Sequence, residues 1–162
     1  MNDPASLQVA VPVVRNLLVG VPVMVACIVL QALLVIAAMR FYREHLAARA
    51  SRSFTVRVGA LSGVMLVLVL GNMAQVVLWA LLFRLLGEFA HLGDAIYHSA
   101  VNFATLGYGD IVMSAQHRML GPLEAINGAL MIGVSTGALS AAFQDIIRRS
   151  AVGAQHRPLA GR

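Results

Sequence analysis

Thr105, Leu106, Gly107, Tyr108, Gly109 and Asp110 form a short polar, glycine-containing loop between long apolar segments, and the chemistry such a loop offers is that of backbone oxygen. Bare peptide groups are costly in hydrocarbon unless they are buried in protein or line a water-filled path. Gly107 and Gly109 can hold left-handed backbone without a Cβ clash, and alternating left- and right-handed residues turn successive carbonyls to one side. A run of such carbonyls aimed at a common axis replaces the water shell of a cation. Thr105 adds a hydroxyl oxygen at the innermost position. Leu106 and Tyr108 then point away from the axis and wedge the loop against surrounding helices, where the Tyr108 hydroxyl seeks a partner. Asp110 closes the run at the water side. The other use for such a loop is a tight turn between two membrane helices.

The elements that must hold this loop are read from the apolar pattern. Of 162 residues, 59% are hydrophobic and 12% charged, an apolar share above that of soluble domains, so a membrane protein is expected. The net charge is +5 and every basic residue is arginine. These arginines flank apolar spans without aromatic interleaving, which suits lipid headgroups and not nucleic acid. Cys27 is the only cysteine; it lies in an apolar run and reads as a small buried hydrophobe, with no disulfide possible within one chain. No cleavable signal is expected, because the first apolar run is too long for one and lacks a basic cluster before it.

Taken in order, residues 1–57 read as an N-terminal membrane helix with a basic linker. After a short mixed start, an apolar run from Leu17 to Met39 has the length of a membrane span, with Pro22 near its beginning and Gln31 placed to hydrogen-bond across a helix interface. The linker holds Arg40, Arg43, Arg49, Arg52 and Arg57 against Glu44. Its three-residue arginine spacing, with Leu46 in the empty place, has the look of a voltage-sensing ladder, but it lies among polar residues outside any apolar span and reads as an interfacial linker.

Residues 58–149 carry the loop and its frame. A second span runs from Val58 to about Leu86; its Gly59 and Gly63 permit close helix approach, and Asn72 and Gln75 share a face that should meet another helix. Trp79 and Arg84 mark its far end, with Arg84 and Glu88 spaced for a surface pair. Asp94 is the expected N-cap of a short helix from about Ala95 to Ala104. About ten residues at about 1.5 Å each reach only halfway through the hydrocarbon, so this helix enters, stops and delivers the loop. Its negative dipole end faces the cation path. The last apolar run, about Met119 to Ile147, holds Glu124 near its outer end. Gly128, Gly133 and Gly137 on it allow either a gating bend or tight packing, and Ser135, Thr136 and Ser140 would soften a cavity wall. Residues 150–162 read as a short basic tail.

The loop resembles the selectivity filter of potassium channels, whose usual form is Thr, an aliphatic residue, Gly, Tyr, Gly, Asp. With the short helix before it and a span on either side, the stretch from about Val58 to Arg149 is similar to the bacterial pore-domain potassium channels of the two-helix type, with Leu17 to Met39 as an added helix. That resemblance implies an all-α membrane protein of three transmembrane helices plus a re-entrant pore helix and filter loop, assembled as a homotetramer because one chain supplies one filter. It implies potassium bound at Thr105, Leu106, Gly107 and Tyr108; Gly109, Asp110 and Glu124 as filter support and outer mouth; the last span as the pore-lining inner helix, with Gly128, Gly133 and Gly137 as its possible hinge; and no cofactor beyond the ions. Ala104 and Val101 depart from the family pattern, where relatives place a hydroxyl residue and some place a bracing carboxylate.

Arginine counting orients the chain. The linker arginines with Arg148, Arg149, Arg157 and Arg162 outweigh Arg15, Arg84 and Arg118, which puts linker and C-terminus in the cytoplasm and the N-terminus and filter mouth outside an inner, cell-bounding membrane. The function expected is passive, potassium-selective conduction. The alternatives are a weakly selective cation channel and a non-conducting scaffold or accessory subunit with the same fold. An enzyme is not expected, since the spans hold no His, Cys or carboxylate constellation with catalytic or metal-ligand spacing. His98 and His117, near the loop, are read either as structural or as sources of pH sensitivity.

Overall fold

The structure is a computed structural model that describes residues 4–48 and 54–155. Four helices follow in order: α1 (Pro4–Ala48), α2 (Phe54–Leu85), α3 (Leu92–Phe103) and α4 (Leu120–Gln155). Within α1, α2 and α4 the segments Pro12–Glu44, Thr55–Leu85 and Leu120–Arg148 are long and apolar enough to cross a membrane. The chain is an all-α, multi-pass membrane protein, as its apolar pattern implies. α3 has 12 residues, which at 1.5 Å each span about 18 Å of a hydrocarbon core about 30 Å thick.

The helix ends differ from the sequence reading in a consistent way. α1 begins at Pro4, not at Leu17 after a mixed start, and it runs on through Arg40 and Arg43 to Ala48, so the first half of the linker is helix. Loss of hydropathy marks where the membrane ends, whereas a helix ends only where its backbone hydrogen bonds stop, and Arg, Glu, Leu and Ala are good helix formers. α2 likewise includes Arg57. Arg49, Arg52, Arg157 and Arg162 lie outside the described residues. Asp94 does not cap α3. The N-cap is His91, which makes no side-chain cap hydrogen bond, and Asp94 sits inside the first turn, where its charge still complements the positive end of the helix dipole.

Lipid tails are as apolar as leucine, so membrane helices associate through close packing and hydrogen bonds more than through hydrophobic burial. Both devices are present. Gln75 donates to Gln31 Oε1 at 2.7 Å, Gln31 donates to Ser135 Oγ at 2.8 Å, and Asn72 reaches the same oxygen at 3.4 Å. One polar network thus joins α1, α2 and α4, as the positions of Gln31, Asn72 and Gln75 suggested. Ser135 belongs to this network and donates to Met131 O, Thr136 bonds back to Ile132 O on its own helix, and both line a hollow between α2 and α4.

Four glycines mark close approach, the first being Gly20, where a Cβ would lie 2.8 Å from the Leu123 side chain. A Cβ on Gly63 would lie 2.8 Å from the Phe41 ring, one on Gly71 would strike Leu34, and one on Gly128 would strike the backbone carbonyl of Phe103. Gly59, Gly133 and Gly137 have nothing within 4 Å. Trp79, toward the far end of α2, is 0% exposed; its ring packs on Phe83, which forms an aromatic cluster with Phe89 and His98 of α3.

α1 is tied to the rest at both ends. Tyr42 OH lies 3.1 Å from both Ala142 O and Asp145 Oδ2 near the end of α4. At the other end Asn16 donates to Gln116 O at 3.0 Å, and Arg15 lies 3.3 Å from His117 Nε2. The start of α1 and the loop that follows Asp110 therefore share one end of the bundle.

Glu88 is anchored there, and not by Arg84. Arg84 donates to Phe89 O, while Glu88 accepts from Ser114 N and Ser114 Oγ, each at 2.7 Å, and from His117 Nδ1. A guanidinium can only donate, so Arg15 makes His117 Nε2 an acceptor and leaves the proton on Nδ1, facing Glu88. Burial pushes the Glu88 carboxyl up, but the hydrogen bonds from Ser114 and His117 outweigh it and hold the group below its ordinary range.

Two outcomes are expected. Gly128→Ala forces a methyl into the Phe103 carbonyl and lowers the thermal midpoint of detergent-solubilised protein by the equivalent of about 1–3 kcal/mol, whereas Gly59→Ala leaves it unchanged or slightly higher. A depressed carboxyl contributes stability above its unfolded pKa that is lost as pH falls through its folded pKa. The thermal midpoint of the wild type should therefore carry an acid-labile component that disappears below the ordinary carboxylate value of 4.5, and Glu88→Gln should lack it.

Candidate functional site

The loop begins at the C-terminus of α3, and the way that helix ends sets its geometry. Thr105 N donates to Asn102 O at 2.8 Å and Leu106 N donates to Val101 O at 2.9 Å. These are the paired bonds of a Schellman ending, which requires a left-handed residue at the first position past the cap. That residue is Thr105, with φ 58. The end of α2 is built the same way, with Gly87 N bonded to Arg84 O, Glu88 N to Phe83 O, and Gly87 at φ 77. Glycine takes this conformation freely; a β-branched residue does so at a cost of about 1–3 kcal/mol. Thr105 thus occupies a glycine's place and brings a hydroxyl with it.

From Thr105 onward the hand alternates. Gly107 and Gly109 have φ 58 and φ 72, while Leu106 and Tyr108 between them do not have positive φ. Left-handed residues at every second position are the arrangement that turns consecutive carbonyls to one side of the strand.

The outer end of the loop is pinned by α3. Tyr97 OH donates to Asp110 Oδ2 at 2.7 Å, and this bond holds the exposed Asp110 carboxyl below its ordinary range. His98 Nδ1 lies 2.9 Å from Ile111 O, and Asn102 Nδ2 lies 2.8 Å from His98 Nε2. A carbonyl only accepts and an amide N–H only donates, so His98 carries its proton on Nδ1 and both ring nitrogens are occupied in structural bonds. Behind α3, Glu124 is 0% exposed, and its Oε1 lies 2.5 Å from Ser99 Oγ, which also lies 2.7 Å from Val76 O. One serine on α3 therefore bridges α2 and α4.

Thr105 to Asp110 form one continuous exposed loop segment, and Glu124 lies buried against Ser99 of α3. Gly128 packs on the last carbonyl of α3, whereas Gly133 and Gly137 are exposed and distant from the loop. Leu106 and Tyr108 do not wedge against helices of their own chain: they are 54% and 65% exposed, and the Tyr108 hydroxyl makes no hydrogen bond among the described residues. They border an apolar hollow of about 420 Å³ that also touches Met73, Val76, Ala100 and Ile132. Tyr97, Ser99, Asn102 and Ser114 carry ties that sequence reasoning missed. The one available signal was the density of hydrogen-bonding side chains on so short a helix. Among the described residues no group of three or more His, Cys, Asp or Glu could hold a metal ion.

Residues 66–145 match the model of a family described as "Ion channel". No curated protein and no solved structure matches the chain. The matched segment covers most of α2, all of α3, the loop and α4 as far as Asp145, and it leaves α1 outside. Through the pore domain formed by these elements, the chain belongs to the two-helix-type ion-channel family.

Proposed function

We propose that the chain conducts potassium selectively and passively, as a homotetramer in which four copies of the Thr105–Tyr108 strand surround one axis. The observation that carries this reading is the alternation of left-handed residues at Thr105, Gly107 and Gly109. Such alternation supports backbone oxygens of Thr105, Leu106, Gly107 and Tyr108 that face one side of the loop, so that four copies form stacked rings that replace potassium's hydration shell. Gly109 and Asp110 form the outer mouth, Asp110 and Glu88 keeping negative charge there to concentrate cations. Glu124 braces α3 from behind. The exposed Leu106 and Tyr108 support assembly, because apolar and aromatic surface of this kind becomes buried when a second copy closes the hollow beside it. The arginine distribution supports a mouth that opens outward, with the linker and C-terminus in the cytoplasm.

The reading tests directly in lipid vesicles. Purified wild-type protein is expected to pass rubidium or potassium down its gradient far faster than sodium; equal sodium flux removes the selectivity claim, and an assembly of other than four chains removes the cage. Gly107→Ala puts a Cβ on a residue at φ 58, at a cost of about 1–2 kcal/mol per subunit, and is expected to abolish selective flux while leaving helix content unchanged by circular dichroism. Tyr97→Phe leaves the filter backbone in place but frees Asp110, and is expected to lower flux through loss of the outer tie while preserving the preference for potassium over sodium.

A further inference from the structure

Ser99 Oγ has two oxygen neighbours, Val76 O at 2.7 Å and Glu124 Oε1 at 2.5 Å. A hydroxyl has one hydrogen to donate, and a backbone carbonyl only accepts. If Glu124 were ionised, both neighbours would be acceptors competing for that one hydrogen, and one short contact would set lone pairs against each other. The count closes in one way: Glu124 O–H donates to Ser99 Oγ, and Ser99 O–H donates to Val76 O. Both distances then fall within the range for O–H···O bonds.

A second, independent observation agrees. Ser99 and Glu124 are each 0% exposed, and no ion pair joins Glu124 to a basic residue among the described residues. Its hydrogen-bonding neighbours are Ser99 and Asn102 on α3, and Cys27 on α1 lies within electrostatic range of it. The remaining titratable group on the inner part of α3, His98, has both ring nitrogens committed to Ile111 O and Asn102. A buried carboxylate without a cation is one of the costliest arrangements in a protein, and the usual outcome is that the group keeps its proton.

We propose that Glu124 is an un-ionised carboxylic acid whose proton, donated to Ser99 Oγ, positions the pore helix α3 between α2 and α4. Ser99 lies six residues before Thr105 on the helix that delivers the loop, so Glu124 acts on conduction through Ser99 and not by touching ions. Only the consequence for flux rests on the reading of the loop as a filter; the location of the proton does not.

The experiment is infrared spectroscopy of the full chain in lipid vesicles at pH 7, in ordinary and heavy water. The wild type is expected to show the carbonyl stretch of a protonated carboxyl group, shifted by deuterium and absent from Glu124→Gln. Ser99→Ala is expected to move that band to higher frequency, because the acid loses its acceptor; this measurement decides the matter even if Glu124→Gln fails to assemble. Rubidium flux is expected to survive in Glu124→Gln, a neutral side chain that still donates to Ser99, and to fall about tenfold or more in Glu124→Leu, which cannot. A wild-type spectrum without a band assignable to Glu124, or a band that Ser99→Ala leaves unmoved, overturns the proposal. The band behaving as described in protein that fails to select potassium would support the proton's placement and refute the proposed function instead.

Discussion

The paired hydrogen bonds that end α3, Thr105 N to Asn102 O and Leu106 N to Val101 O, are the constraint on which the pore domain depends. They end the helix within two residues and start a loop in which left-handed residues alternate at Thr105, Gly107 and Gly109. Such an ending needs a left-handed residue. At the end of α2 the chain uses Gly87 for the same turn and nothing follows from it chemically. At the end of α3 it uses Thr105 and accepts the strain of a β-branched side chain at positive φ. Strain persists only where the surroundings over-determine it. Here the two backbone bonds, Gly128 pressed against the Phe103 carbonyl, and Ser99 bridging two spans all act on the last turns of α3.

The supports of the loop are mostly polar, and the solvent explains why. Between helices surrounded by lipid, replacing one apolar contact by another changes little, whereas an unsatisfied hydrogen-bonding group in hydrocarbon costs several kcal/mol. Polar side chains in the spans therefore specify which faces meet. Gln31, Gln75, Asn72 and Ser135 fix α1 against α2 and α4 at mid-depth, Tyr42 fixes it against α4 near one end, and Asn16 with Arg15 fixes it to the loop before α4 at the other. α1 lies outside the segment shared with the channel family, yet it is tied to α4 at two depths and to the loop before it at a third. In this architecture an added helix is part of the frame that holds α4.

The sequence made the loop legible because its geometry depends on residue type: two glycines, two residues apart, announce alternating backbone hand. It made the spans legible because hydropathy reports the bilayer. Helix ends were less legible, since hydropathy is silent about backbone hydrogen bonding, and α1 continues through Arg40 and Arg43 with no break. Thr105 could not be read as left-handed, because its type argues against that conformation and only the hydrogen bonds of the helix end impose it. The Tyr97 to Asp110 and Glu88 to Ser114 ties were hidden for another reason. Each joins residues brought together by the path of a turn, and no local pattern encodes that path.

The loop is held at its two ends and open in its middle. α3 secures the inner end through its final turn and the outer end through Tyr97 and His98, while a Cβ added at Gly107 or Gly109 would meet nothing within 4 Å and the side chains of Leu106 and Tyr108 stand exposed beside an apolar hollow. A strand pinned only at its ends can change the separation of its central oxygens at little cost, and a cage that discriminates between cations of similar charge requires that separation, or the field of those oxygens, to be controlled. In the proposed tetramer the control comes from the neighbouring copy, which buries Leu106 and Tyr108 and gives the Tyr108 hydroxyl its partner. Polar contacts within one chain thus fix where the loop starts and stops, and in the proposed tetramer packing between copies would set how wide the passage is, with Met73 and Ile132, which line the hollow, part of that packing.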